Sequence, residues 1–107
     1  VLVGGQDSTL RKQVDSWVAP VQGDGSLGAW TPATPLPRPK FHHTVVLHRG
    51  WLYALGGLET STSVDAGWRA RFADGKVGAW EPLPATPEPR SHHSAVVVGD
   101  TLFAIGG

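Results

Sequence analysis

The chain has 107 residues, 40% hydrophobic and only 17% charged, a composition able to build a core and unlike that of a disordered tail. Nine basic and nine acidic side chains cancel and form no block of one sign, which argues against nucleic acid or an anionic membrane surface as partner. No apolar run approaches the roughly 20 residues of a membrane span, no signal-peptide or lipidation motif is visible, and the absence of cysteine excludes a disulfide framework or a thiolate metal site.

In chain order the local signals are all β. Val1–Gly5 is a short apolar stretch ending on a glycine pair, and a polar loop, Gln6–Gln13, follows it. The chain then passes Val14-Asp15, turns at Asp24-Gly25 and reaches Trp30. Thr44–Leu47 is apolar and rich in β-branched residues. Arg49-Gly50 reads as a tight turn into Trp51–Leu55, so this hairpin ends on Gly56-Gly57. A polar connection, Glu59–Ser63, leads to a strand expected over Val64–Phe72. Asp74-Gly75 suits a type I′ turn, because both residues tolerate positive φ. The strand after it holds Trp80. Pro82–Pro89 cannot be a central strand, since proline has no N–H for the ladder; it is expected to connect one outer strand to the next inner strand. Ser94–Val98, a turn at Gly99-Asp100 and Thr101–Ile105 form a last hairpin ending on Gly106-Gly107.

These elements repeat. Gly28-Ala29-Trp30 returns as Gly78-Ala79-Trp80, His42-His43 as His92-His93, and Val14-Asp15 as Val64-Asp65, all at an offset of 50. Residues 14–57 match 64–107 at 17 of 44 positions without a gap, far more than chance allows. From Gly5 to Gly57 the spacing is 52, which assigns two extra residues to the loop after the first glycine pair. Residues 1–5 are then the second strand of a preceding unit, 6–57 one repeat unit and 58–107 the next. Each unit is expected to be a sheet of four short antiparallel strands.

Glycine pairs end the second strand of each unit, with Tyr53 or Phe103 three residues earlier. Trp30 and Trp80 fall on the fourth strand. The segments Pro39-Lys40-Phe41-His42-His43 and Pro89-Arg90-Ser91-His92-His93 place a basic residue and a His before the first strand. In these features the chain resembles the kelch-repeat family over nearly its whole length. It departs in having Lys40 in place of the usual Arg, and in Asp15 and Asp65, which precede Trp17 and Trp68 where the family more often shows an aromatic-Asp pair. The resemblance implies an all-β fold of kelch-type β-propeller blades, four-stranded antiparallel sheets whose ring is incomplete in one chain. Gly56, Gly57, Gly106, Gly107, Trp30, Trp80, His43 and His93 are then structural repeat positions.

A closed kelch ring has five to eight blades, and two blades alone would leave two apolar faces wet. The expected partners are therefore further kelch blades, from a longer chain or from copies of this one, three copies giving six blades. Val1 in place of Met fits a cut from something longer, a processed product or an engineered segment. Because the chain starts and stops at the same phase of the repeat, head-to-tail assembly leaves Val1–Val3 redundant or forces an exchange of strands. That favours a piece of a longer propeller.

Few residues tempt a chemical reading. Paired imidazoles could supply metal ligands or general bases, but neighbours in a strand point to opposite faces, and a doublet present in both units suggests architecture. No catalytic residue, metal ligand or cofactor is assigned. His48, near a turn, is expected to face solvent. Trp30 and Trp80 are expected to pack between sheets. Trp17, Trp51 and Trp68 meet Gly67, Thr101 and Val18 at the fifty-residue offset, so none has an aromatic counterpart. Unmatched aromatics on a symmetric scaffold are binding candidates. Arg69 and Arg71, alternating with Ala70 and Phe72, join them, with a solvated strand face as the plain alternative. Asp24 and Asp74 read as turn formers.

The sequence thus favours a binding and assembly scaffold, not an enzyme, contacting protein, peptide or carbohydrate ligands through loops at the sheet ends. One rival is part of a kelch-like enzyme of the oxidase or sugar-epimerase type whose site needs further blades. A single Tyr and no Cys count against a copper-radical site in this segment. The other rival is a self-assembling or engineered segment without an evolved ligand.

Overall fold

The computed structural model describes all 107 residues; it contains ten strands and no helix. β1 (Leu2–Gln6), β2 (Lys12–Val18) and β3 (Thr31–Ala33) form the first sheet in that order. The middle sheet contains β4 (Thr44–His48), β5 (Trp51–Leu55) and β6 (Gly67–Ala73), with β7 (Lys76–Val77) and β8 (Glu81–Leu83) both pairing with β6. β9 (Ser94–Val98) and β10 (Thr101–Ile105) make a third, two-stranded sheet. Every pairing is antiparallel.

The turns follow from their residues. Arg49-Gly50 has φ of 47° and 78°, and Asp74-Gly75 has 53° and 71°, the two positive values that type I′ requires. Asp24-Gly25 differs. There the Asp24 carboxylate accepts from the Ser26 N–H at 3.0 Å and the Ser26 hydroxyl at 2.6 Å, so a side chain closes the turn. Just before it, β2 stops at Val18 because Pro20 cannot extend the ladder, and one isolated bridge, Val21 to Leu27, replaces the longer hairpin that β6 makes.

The strand expected from Val64 begins only at Gly67. Val64 and Asp65 spend their carbonyls on the Pro-rich connector instead, accepting from Arg90 N–H and Thr86 N–H. The first unit repeats both bonds, with Gln13 accepting from Lys40 N–H and Val14 from Leu36 N–H. The donors differ by 50 residues and the acceptors by 51. Trp17 lies opposite Leu2 and Pro32, and Trp68 lies opposite Ala54 and Pro82. Trp17 and Trp68 are therefore counterparts, which corrects the expectation that both are unmatched. The two extra residues of the first unit are also split: one in the loop after Gly5, one between Trp17 and Asp24. An ungapped comparison hides this shift, and it pairs Val14-Asp15 with Val64-Asp65 by coincidence of letters.

The sheets pack side by side in chain order. Val3 and Leu36, with Val14, meet Ala54, Trp68 and Trp80 of the middle sheet. Beside them Leu52, Ala70 and Val77 meet Val18 and Ala33 of the first. Trp80 fastens this boundary by donating its indole N–H to the Thr34 carbonyl at 2.9 Å, while the Thr34 hydroxyl donates to the Val77 carbonyl at 2.6 Å. Its counterpart Trp30 has no sheet in front of it and is 48% exposed. β9 lies against β4 on the other face of the middle sheet.

Candidate functional site

The densest polar cluster lies where each Pro-rich connector enters an inner strand. Lys40 ends the first connector and is fully buried. Its carbonyl accepts from Gly5 N–H of the first sheet at 2.7 Å, and its ammonium donates to Gly56 of the middle sheet at 2.6 Å and to Ala66 at 3.1 Å. Arg90 repeats the arrangement one sheet on, its carbonyl accepting from Gly57 N–H at 2.7 Å and its guanidinium donating to the Gly106 carbonyl. Each basic residue clips two consecutive sheets together. Lys in place of Arg keeps the clip. Burial holds the Lys40 ammonium below the usual lysine range, opposed by the charge of Glu59.

His43 and His93 wedge beside these clips. A Cβ on Gly4 would lie 3.3 Å from His43 Cε1, and one on Gly57 would lie 2.8 Å from His43 Cβ. For His93 the neighbours are Gly56, at 2.8 Å from Cε1, and Gly107, at 3.2 Å from Cβ. The glycine pairs thus make room for an imidazole between successive sheets, which is why both motifs recur together. The His93 Nε2 and the Thr44 hydroxyl share a 2.9 Å hydrogen bond, while Nδ1 of both histidines has no protein partner. Burial first, then the charge on Lys40, brings the His43 imidazole down to about 4. Burial and the Arg90 charge lower His93 as well.

His42 and His92, by contrast, are exposed and sit at φ of 52° and 56°. Their rings stack with centroids 3.9 Å apart, and His92 N–H donates to the His42 carbonyl at 3.0 Å. His48 is not free in solvent as expected; its Nε2 lies 3.1 Å from Asp100, which also pairs with Arg49. The hairpin turns of neighbouring sheets bring these groups together.

At the connector end of the sheets the loops converge. The Asp7 carboxylate accepts from Thr9 N–H, the Thr9 hydroxyl, Arg11 N–H and Gln13 Nε2, which orders the Gln6–Gln13 loop and lowers the pKa of Asp7, the Thr9 hydroxyl contributing most. Lys12 from that loop lies 5.5 Å over the Phe41 ring, Phe41 bridges to Leu58 of the second loop, and Arg38 pairs with Glu59 at 2.8 Å. Sequence reasoning missed this convergence, because the residues belong to three segments without a shared motif.

Of the binding candidates, the structure brings three together. The guanidinium carbons of Arg69 and Arg71 lie 4.1 and 4.9 Å from the Trp51 ring, and Arg69 also pairs with Glu81. Trp68 is elsewhere, half-buried against the core, and Trp17 donates its indole N–H to Asp15 at 2.7 Å. Comparison with protein-family models finds no match for this chain, and no curated protein matches it.

Proposed function

We propose that the chain is two blades of a kelch-type β-propeller serving as a binding and assembly scaffold for protein, peptide or carbohydrate ligands. The observation that supports this best is the repeated clip. Lys40 and Arg90 each tie the end of one sheet to the start of the next through equivalent bonds, so successive sheets are set side by side by the same rule. Such a rule extends to further sheets and leaves the loops at the sheet ends free to vary. The basic and His residues that invite a catalytic reading are engaged in that rule, and this favours a scaffold over chemistry.

The binding surface is the connector end, built by the Gln6–Gln13 loop, Arg38 and the Leu58–Ser63 loop. Its test is a glycan- and peptide-array profile of the intact chain beside a variant with residues 7–11 replaced by Gly and Ser. The expected result is binding that the loop replacement abolishes. An unchanged profile, or no binding by either protein, contradicts the assignment.

A further inference from the structure

Two Asp-Gly dipeptides stand at equivalent turns fifty residues apart, Asp24-Gly25 and Asp74-Gly75. Glycine has no Cβ to shield its amide, so an aspartate side chain is most easily attacked by the next backbone nitrogen at such a pair. Both turns are exposed. They differ in how the two reacting groups are bonded.

At the first turn both groups are held. Gly25 N–H donates to the Gln22 carbonyl at 3.0 Å, and the Asp24 carboxylate accepts from the Ser26 hydroxyl and N–H. The Ser26 hydroxyl, then its N–H, keep Asp24 below the usual carboxylate range and so ionised. An ionised carboxylate gives up an oxygen less readily than a neutral acid. The second turn has Lys76 where the first has Ser26. There Gly75 N–H donates to no backbone carbonyl, and the Asp74 carboxylate has neither an ion pair nor the donors that Ser26 supplies.

We infer that Asp74-Gly75 is a site of spontaneous backbone modification, where aspartate converts to isoaspartate through a cyclic imide, while Asp24-Gly25 is protected. In the first step Gly75 N bonds to Asp74 Cγ, and the amide proton and the side-chain OH leave together as water. In the second, water adds to one of the two ring carbonyls. Opening at Cγ restores aspartate. Opening at the former backbone carbonyl leaves Asp74 joined to Gly75 through its side chain. Nothing is oxidised or reduced, and water is the only co-reactant.

The product lengthens the main chain by one methylene at a turn of only two residues. That turn sets the pairing of Ala73 with Lys76 and of Phe72 with Val77, the two pairs that join β7 to β6. Val77 is buried beside Leu52 and Ala70, and its carbonyl accepts from the Thr34 hydroxyl of the first unit. The lengthened turn has room to swing, since it borders a cleft of about 450 Å³ shared with Thr31 and Thr34. Isomerisation therefore withdraws Val77 from the boundary and loosens the hold of the first sheet on the middle one.

The test incubates the folded chain in heavy-oxygen water at neutral pH. Each imide opening writes one heavy oxygen into the chain. Digestion with trypsin in ordinary water separates Asp74, in peptide 72–76, from Asp24, in peptide 13–40, where fragment ions resolve Asp24 from Asp15. Labelling and isoaspartate are expected to appear faster at Asp74 by about fivefold, the factor that one hydrogen bond on the nucleophile imposes. In guanidinium the two sites are expected to label at similar rates, because the turns that distinguish them are gone. Asp74→Glu, whose imide needs a six-membered ring, is expected to abolish labelling of peptide 72–76. The separated isoaspartyl form is expected to unfold at lower urea than fresh chain. Equal rates in the folded chain, or faster labelling at Asp24, overturn the assignment. A difference that persists in guanidinium also overturns it, since it then comes from local sequence and not from the turns. An isoaspartyl form as stable as its parent overturns the link to the sheet boundary.

Discussion

Lys40 and Arg90, fifty residues apart, make the same bond: each side chain donates to the carbonyl of the first glycine in the pair that closes its own sheet, Gly56 for one and Gly106 for the other. A buried ammonium is costly unless its donors are met, and Lys40 meets two carbonyls with no carboxylate in contact. Lys40→Met keeps the stem and removes the donors. Ala66 retains its bond from Gly56 N–H, so Gly56 is the carbonyl left without the ammonium. The expected loss is about 1–3 kcal/mol, read as a lower midpoint in urea unfolding. An unchanged midpoint would show that the clip contributes nothing.

Gly56 and Gly75 both have positive φ, at 57° and 71°, but differ in surroundings. A Cβ on Gly56 would lie within van der Waals clash of the Arg90 carbonyl and 2.8 Å from His93, whereas one on Gly75 meets nothing within 4 Å. Gly75→Ala should therefore lose only the left-handed penalty of about 1–2 kcal/mol. Gly56→Ala should lose about 2–4 kcal/mol, because packed backbone must also move. Equal losses in parallel denaturation curves would refute the wedge.

Trp80 and Trp30 occupy equivalent positions with unequal surroundings. Trp80→Ala removes a packed indole and its bond to Thr34, and should cost about 3–5 kcal/mol at any protein concentration. Trp30→Ala should change the dilute chain by less than about 1 kcal/mol. Matching losses for the two variants at low concentration would contradict the packing.

Acid should loosen the sheet boundaries. His43 is held at about 4, below the ordinary value of 6.5, and His93 is lowered too. Between these values the unfolded chain binds a proton that the folded chain refuses. Stability is therefore full above pH 6.5 and falls as pH drops towards 4, by about 1.4 kcal/mol per unit for His43. His43→Gln should flatten part of that slope. A wild-type stability constant from pH 7 to 4 would contradict the buried neutral imidazole.

Much of the fold was legible. The glycine pairs, the I′ turn residues and the proline runs are local signals whose meaning does not depend on distant contacts, and strands, turns and connectors fell close to where they were expected. The expected start at Val64 failed because its carbonyl, and that of Asp65, bond the connector instead of a strand. The equivalence of Trp17 with Trp68 was hidden, since a one-residue shift is invisible until hydrogen-bond register fixes which residues face each other. The site was less legible than the fold. The His43 and His93 niches depend on glycines from two sheets, and the meeting of Lys12, Phe41, Arg38 and Glu59 depends on three loops that only folding brings together.

The side-by-side packing of the sheets is tested most directly by the Trp80 indole proton in isotope-resolved NMR. The bond to the Thr34 carbonyl predicts slow exchange with solvent and dipolar cross-peaks to Thr34 protons. A Trp80 indole that exchanges freely and shows no contact with the first unit would contradict the account.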